Sequence, residues 1–251
     1  MNAIILAAGK GMRLNEGKAN AKPKCMEVVN GISIIKYQIT ACQKVGIENF
    51  TIVVGYQKDM LKKHVLEFLP EKYVSFIEND KYETTNTLGS LWAAKMFCYE
   101  SFVYFNADVL FHKDLLSMLL KEQGKCMLLV EKKEVGEEEV KVRVSQYGFI
   151  HEIGKHIPPA EAQGEFIGIG VFNDRYCREF VRALEQGINE GQENNYFEWS
   201  VNLICEQIRL QAVYTDGLPC IEIDFPEDLE KAKLLFPALK DAFNPPREKY
   251  F

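Results

Sequence analysis

The chain has no apolar run that approaches the ~20 residues needed to cross a bilayer. Its start is apolar only from Ile4 to Ala8, with no basic leader before that run and no cleavage-like segment after it. The expectation is a cytoplasmic protein without a membrane partner. It also lacks a basic excess: 30 Lys and Arg against 36 Asp and Glu leave a net charge of -6, the wrong sign for DNA or RNA. A phosphate-bearing ligand must then be held by a local cluster of cations, and a small ligand is expected. Cysteine pairs are missing too. Seven cysteines, at 25, 42, 98, 126, 177, 205 and 220, form no C-x-x-C and lie mostly in apolar runs, which is the usage of buried cytosolic thiols. Cys25, beside the loop lysines, is given no role. The histidines His64, His112, His151 and His156 fall at no metal-ligand or triad spacing, with His151 and His156 placed in a charged turn. No repeat, low-complexity stretch or linker interrupts the chain. One domain over residues 1-251 is therefore expected, with halves over 1-130 and 131-235 and a tail over 236-251.

What is present begins at the first residues. The run Asn2 to Ala8 suits a strand covered on both faces, and it breaks at Gly9-Lys10-Gly11. The two glycines let backbone amides approach an anion, while Arg13, Lys22 and Lys24 supply cations for phosphate oxygens. Helical spacing over Ile34 to Cys42 ends at Gly46, and Phe50 to Gly55 reads as a strand. A helix from Lys58 to Leu69 ends at Pro70, followed by a strand over Tyr73 to Ile77. Then come a helix over Thr87 to Phe97, a strand over Phe102 to Asn106, a helix around Leu115 to Leu120 and a strand over Lys125 to Val130. This alternation predicts an α/β fold, a Rossmann-like three-layer sandwich with a mostly parallel central sheet.

The pattern changes after Val130. The charged run Glu131 to Glu139 reads as a solvated loop, and Val140 to Val144, Tyr147 to Ile150 and Phe166 to Phe172 read as an antiparallel extension of the same sheet. Helices over Asp174 to Gln186 and Glu198 to Gln207, strands over Leu210 to Tyr214 and Ile221 to Ile223, and a helix from Pro226 to about Leu235 complete the prediction.

Open parallel sheets bind ligands beyond the carboxyl ends of their strands. Three polar groups fall there: the glycine loop, the Asn106-Ala107-Asp108 turn, and Asp224 after Ile223. Two carboxylates near a phosphate cluster are what Mg²⁺ requires, so Asp108 and Asp224 are the candidate metal ligands and Mg²⁺ the expected cofactor. Leu14 stands where the dinucleotide fingerprint has its third glycine, and no G-K-[ST] supports a P-loop.

Leu6-Ala7-Ala8-Gly9-Lys10-Gly11-Met12-Arg13-Leu14 followed by Lys22-Pro23-Lys24 resembles the L-A-A-G-x-G-x-R-L…P-K signature of the nucleoside-triphosphate transferase family. The resemblance runs to about Leu235 and implies the GT-A-like nucleotidyltransferase fold, with 1-130 as the nucleotide-binding half and 131-235 as the acceptor-binding half. It further implies that Leu6, Ala7, Ala8 and Gly9 lie along base and ribose, that Lys10, Gly11 and Arg13 meet the triphosphate, and that Lys24 meets the phosphates at the reacting centre. Arg13, Lys24, Asp108 and Asp224 are the implied catalytic set. Asn15-Glu16-Gly17-Lys18 replaces the Pro-Leu-Thr of sugar nucleotidyltransferases, which disfavours a hexose-phosphate acceptor, and Asn106-Ala107-Asp108 replaces a Gly-Asp pair.

A narrower resemblance lies in Glu78-Asn79-Asp80-Lys81-Tyr82 and Thr84 to Leu91, similar to the N-x-x-Y…T/N-N…S-L stretch of the phosphocholine cytidylyltransferase-like branch. It implies CTP as nucleotide, a small phosphorylated or phosphonylated acceptor, and a place in cell-surface polysaccharide or lipid precursor synthesis, as monomer or homodimer. Asn79, Thr85, Asn86, Ser90 and Asn106 are then candidate contacts to base or ribose. Gly164 to Gly168 resembles the family's acceptor-side strand. Glu165, Tyr196, Glu198 and Trp199 are the candidate acceptor residues, since aromatic faces with carboxylates suit an ammonium group. Two alternatives stand beside this one: a uridylyl-, thymidylyl- or guanylyltransferase acting on a sugar phosphate, and a non-catalytic nucleotide-binding regulatory module.

Overall fold

The structure is a computed structural model that describes residues 1-14, 21-122 and 124-237. The segment Asn15-Glu16-Gly17-Lys18 and nearly all of the tail lie outside the described residues. In chain order the elements are β1 (Asn2–Ala7), the hairpin β2 (Val28–Val29) and β3 (Ile32–Ser33), α1 (Ile34–Lys44), β4 (Asn49–Val54), α2 (Lys58–Leu66), β5 (Val74–Glu78) and α3 (Thr87–Ala93). They continue with β6 (Phe102–Asn106), β7 (Val109–Phe111), α4 (Lys113–Leu120), β8 (Met127–Glu131), β9 (Lys141–Val144), β10 (Ile150–Gly154) and β11 (Gly164–Phe172). The last are α5 (Asp174–Asn189), α6 (Glu198–Asn202), β12 (Gln211–Tyr214), β13 (Cys220–Glu222) and α7 (Pro226–Leu235).

Alternate residues of β1 enter two different cores. Ala3, Ile5 and Ala7 pack with α1, α2 and α4 residues such as Ile35, Leu61 and Leu115. Ile4 and Leu6, with Ala8 just past the strand, pack with Leu91, Phe180 and Val201 of α3, α5 and α6. A strand buried on both faces has no polar side to present, which is why its sequence is a continuous apolar run.

The sheet order β5-β4-β1-β6 is parallel throughout. From β5 the chain crosses to the far side of β1 to form β6, so the strand order reverses between β1 and β6. The crevice beyond their carboxyl ends is where this topology leaves room for a ligand. Strand β11 then runs antiparallel to β6 and carries β8 and β9 at its other edge, with β10 and β12 outermost. The expected parallel centre with an antiparallel extension is the observed sheet.

Several local expectations are revised. The helix after Phe197 is one turn and a half, not the run to Gln207; beyond Asn202 the chain continues as hydrogen-bonded turns that close at Arg209, at φ 50°, ahead of β12. Tyr147 and Gly148 form the turn ahead of β10, with Gly148 at φ 83°, and His151 belongs to β10 rather than to a charged turn. The run after Val130 is not simply a solvated loop. Glu131 ends β8, and the buried Lys141 ammonium donates to the carbonyls of Gly136, Glu137 and Glu139, folding that segment against the sheet. Strand β7 and the β2–β3 hairpin are too short for any periodicity to show. All seven cysteines are buried free thiols, and among the described residues no helix is long and apolar enough to cross a membrane.

Candidate active site

A cleft of about 1000 Å³ opens at the carboxyl ends of β1 and β6. That is room for a nucleotide together with a small second ligand. Its floor is the glycine loop. Gly11 has φ 60°, a left-handed conformation that a side chain would oppose, so its backbone can turn under a ligand. Leu6, Ala7, Ala8, Gly9, Gly11 and Arg13 all line the cleft.

Facing the loop is the Asn106–Asp108 turn, fixed from below. The Gln38 amide, fully buried on α1, donates to the carbonyls of Asn106 (2.8 Å) and Val109 (2.9 Å), bracketing Asp108. The Asn106 side chain accepts a 2.6 Å hydrogen bond from the Tyr104 hydroxyl. It presses against Gly168, where φ is 75° and any Cβ would collide with it, which explains the register shift of β11 at that point. The Ile223 amide donates to the Asp108 carbonyl, which brings the end of β13 and Asp224 alongside. The Asp228 carboxylate at the start of α7 accepts from the amides of Asp224 and Phe225 and orients Asp224 in turn.

Lys24 sits between the two aspartates, 2.6 Å from Asp108 Oδ2 and 2.5 Å from Asp224 Oδ1. Burial opposes its charge, but the two carboxylates outweigh burial and raise its pKa. Arg13 reaches Asp224 Oδ2 at 3.3 Å, with its guanidinium 5.5 Å from the Phe225 ring centroid. Burial works against ionised Asp224 as well, yet the charges and hydrogen bonds of Lys24, with Arg13, hold its pKa below the usual carboxylate value. A third carboxylate, Glu222, completes the group, and ligand oxygens of Asp108, Glu222 and Asp224 lie within 4.8 Å of one another. Burial first, then Asp108 and Asp224, push the Glu222 pKa up. Asp108 Oδ1 is buried with no hydrogen-bond partner among the described residues. Such an orphaned oxygen beside two further carboxylates fits a divalent cation.

Thr85, Asn86 and Ser90 also line the cleft, at the start of α3. Asn86 is the N-cap of that helix, its side chain accepting from the Thr87 amide at 2.9 Å. Asn79 lies behind them. Its amide donates to Thr85 Oγ1 (2.9 Å) and Ser90 Oγ (3.0 Å), and its Oδ1 accepts from the Lys81 amide, so it holds the loop and is off the lining. Three other expected residues also lie off the lining. Lys10 pairs with Glu83 at 2.5 Å. Trp199 projects from a different face of α6 than Glu198 and packs against Gly187 of α5. Lys22 pairs with Glu27 at 3.1 Å and is likewise not part of the cleft.

The other wall comes from β8, β11, the turn after β10 and the start of α6. It contributes Glu131, Lys133, Lys155, Glu165, Phe166, Tyr196 and Glu198. Lys133 bridges Glu165 (2.6 Å) and Glu131 (3.1 Å), and Lys155 lies 5.2 Å from the Tyr196 ring centroid. Sequence reasoning missed Glu222, Lys133 and Lys155. Glu222 had a signal, because strand alternation puts it on the same face as Asp224.

Glu198 is 5% exposed, its Oε2 has no hydrogen-bond partner among the described residues, and burial pushes its pKa up to about 7. Its ionisation in the folded state is therefore a destabilising load. That load is absent below the unfolded value of 4.5, grows as pH rises, and is complete above about 7. Glu198→Gln is expected to raise the melting temperature at pH 8, by on the order of 3 kcal/mol of stability at most, and to leave it unchanged at pH 4. Equal gains at both pH values in thermal denaturation would contradict the buried, unpaired carboxylate.

The comparisons agree with this architecture. The model of the MobA-like NTP transferase domain matches residues 3–189. The CTP:phosphoglutamine cytidylyltransferase of Campylobacter jejuni is 31% identical over 253 residues, covering 92% of this chain and 98% of the relative. The choline-phosphate cytidylyltransferase of Streptococcus pneumoniae is 28% identical over 235 residues, covering 92% of this chain and 96% of the relative. Two solved structures share the fold at 24% identity. The CTP:phosphocholine cytidylyltransferase from Streptococcus pneumoniae has a TM-score of 0.77, covering 94% of this chain and 98% of its own. The inositol-1-phosphate CTP transferase from T. maritima has a TM-score of 0.81, covering 97% and 98%. A glycine loop and acidic turn at the β1–β6 crossover, under a family match spanning most of the sheet, make this chain a member of the MobA-like NTP transferase family.

Proposed function

We propose that the protein is a cytidylyltransferase that moves CMP from CTP to a small phosphorylated or phosphonylated acceptor and releases pyrophosphate. The observation that carries this is Lys24 held between Asp108 and Asp224 directly facing the glycine loop. The names of the relatives support CTP: phosphoglutamine and choline-phosphate cytidylyltransferases cover nearly the whole chain, and a 2-aminoethylphosphonate cytidylyltransferase is 37% identical over 95 residues.

An acceptor phosphate or phosphonate oxygen attacks the α-phosphorus in line. A new P–O–P bond forms as the bond from that phosphorus to the β-phosphate oxygen breaks, and the electron pair leaves with pyrophosphate. The acceptor oxygen is already ionised at neutral pH, so no protein nucleophile or base is needed. What remains for the protein is alignment and charge stabilisation. Backbone amides at Gly9 and Gly11 and the Arg13 guanidinium receive the triphosphate. Lys24 neutralises charge at the reacting phosphates, and Thr85, Asn86, Ser90 and Asn106 offer donors and acceptors to base and ribose. Asp108 and Asp224, with Glu222 beside them, would hold Mg²⁺, which supplies charge neutralisation across the phosphate oxygens when bound.

A nucleotide panel tests this. Pyrophosphate release with Mg²⁺ is expected from CTP well above UTP, dTTP and GTP; equal or greater use of UTP with glucose 1-phosphate instead supports the sugar-phosphate reading. That reading has a more distant relative behind it, a UTP--glucose-1-phosphate uridylyltransferase of Haloferax volcanii at 25% identity. Nucleotide binding without turnover on any acceptor favours the regulatory module, against which the full loop, lysine and carboxylate set argues.

A further inference from the structure

The acceptor wall has a charge pattern that selects among acceptors. Glu198 is buried, borders the cleft, and leaves Oε2 without a donor among the described residues. A carboxylate oxygen buried without a partner is costly, and a ligand N–H can remove that cost. A quaternary ammonium has no N–H to give. It would instead need an open aromatic face, and at this wall the Tyr196 ring already has the Lys155 ammonium 5.2 Å from its centroid, Phe166 is buried against Tyr104 and Phe197, and Trp199 is packed on α5.

The cations of this wall are unequally engaged. Lys133 is bridged by two carboxylates at 2.6 and 3.1 Å. Lys155 has a 3.4 Å contact to Glu138, a side chain 89% exposed. Water competes strongly for that carboxylate, so the pair holds Lys155 weakly and leaves it able to receive an anionic group from the cleft. A carboxylate acceptor and an ammonium donor thus stand on one wall, Lys155 over the Tyr196 ring and Glu198 two residues further along the chain. That pairing is complementary to a ligand that carries an ammonium and a carboxylate together.

Resting on the cytidylyl-transfer reading of the cleft, we propose that the acceptor is a phosphorylated compound of amino-acid type, its primary ammonium on Glu198 and its carboxylate on Lys155, and not a quaternary ammonium compound. Glu198 and Lys155 are then the residues that set acceptor specificity.

Three probes differ by one feature at a time. O-phosphoserine and phosphoethanolamine differ only in the carboxylate, and phosphoethanolamine and phosphocholine only in three methyl groups. With CTP and Mg²⁺, kcat/KM is expected to fall about tenfold at each step in that order, the scale of one charge-assisted hydrogen bond or ion pair lost. Lys155→Met should bring the phosphoserine-to-phosphoethanolamine ratio towards one. Glu198→Gln should bring the phosphoethanolamine-to-phosphocholine ratio towards one, with KM for CTP as the control for an intact fold. Phosphocholine used as well as phosphoserine, or ratios unmoved by either variant, overturns the proposal while leaving cytidylyl transfer standing. No turnover of any probe also overturns it, and calorimetric titration with CTP and Mg²⁺ then decides the transfer reading: no CTP binding removes that as well.

Discussion

Asp108→Ala is expected to lower CTP-dependent pyrophosphate release by about 10²- to 10³-fold, the usual cost of removing one preorganised charge from a phosphate-transfer site. The reasoning starts from its two oxygens. Oδ2 holds the Lys24 ammonium at 2.6 Å, whereas Oδ1 is buried and has no hydrogen-bond partner among the described residues. In the proposed reaction one oxygen would position the ammonium that meets the reacting phosphates, and the other would serve as a ligand to a divalent cation held together with Glu222 and Asp224. Alanine removes both at once. The backbone of the turn should survive, because Gln38 holds it through the carbonyls of Asn106 and Val109 and not through the Asp108 side chain. Activity should fall with little change in melting temperature, and an Asp108→Ala protein that still releases pyrophosphate at near wild-type rate sinks the assignment.

Lys24→Met is expected to cost activity on the same scale and to do something Asp108→Ala does not, which is destabilise the metal-free protein. Without the ammonium, Asp108 and Asp224 face each other and Glu222 with only the more distant Arg13 and Lys155 as counter-charges among the described residues. Removing one partner of a buried pair costs about 3 to 5 kcal/mol, and the partial exposure of Asp224 brings the expectation down to about 2 kcal/mol. The sign with pH follows from the depressed Asp224 pKa. The stabilisation it reports is complete above the ordinary value of 3.8 and is lost as pH falls through the lower, folded value. The gap between wild type and Lys24→Met should accordingly be wide at pH 7 and close in strong acid. Added Mg²⁺ should restore the variant's melting temperature more than that of wild type, since a divalent cation replaces the missing charge. A variant as stable as wild type without metal, at neutral pH, contradicts the role of Lys24 as the counter-charge of the carboxylates.

The parts of the fold that showed in the sequence are those where burial dictates composition. β1, β4 and β6 are covered on both faces and had to be mostly apolar, and the helices between them had to carry one apolar stripe. The glycine loop and Asp108 showed because a strand end in such a sheet has a known use. What stayed hidden depended on long-range placement. Asn79 and Ser90 look alike as polar residues near a helix start, and only the hydrogen bonds reveal that Asn79 braces the loop while Ser90 faces the cleft. Trp199 and Glu198 are neighbours in sequence but lie on different faces of a helix whose rotation is fixed by Phe197 and Val201 in the core. The charged run after Val130 gave no sign of its role, because the buried Lys141 that folds it looks like any other strand-edge lysine.

The central claim is transfer of CMP itself, and the most direct measurement is the identity of the product. Incubation of the protein with CTP, Mg²⁺ and O-phosphoserine, followed by mass spectrometry and ³¹P NMR, is expected to give one pyrophosphate for each molecule of a new compound in which the α-phosphorus of CTP is bonded through oxygen to the acceptor phosphorus. Asp108→Ala should give neither. CTP hydrolysed to CMP with no acceptor-linked product for any phosphorylated amine, or coupling that proceeds equally in the Asp108→Ala protein, would contradict the account.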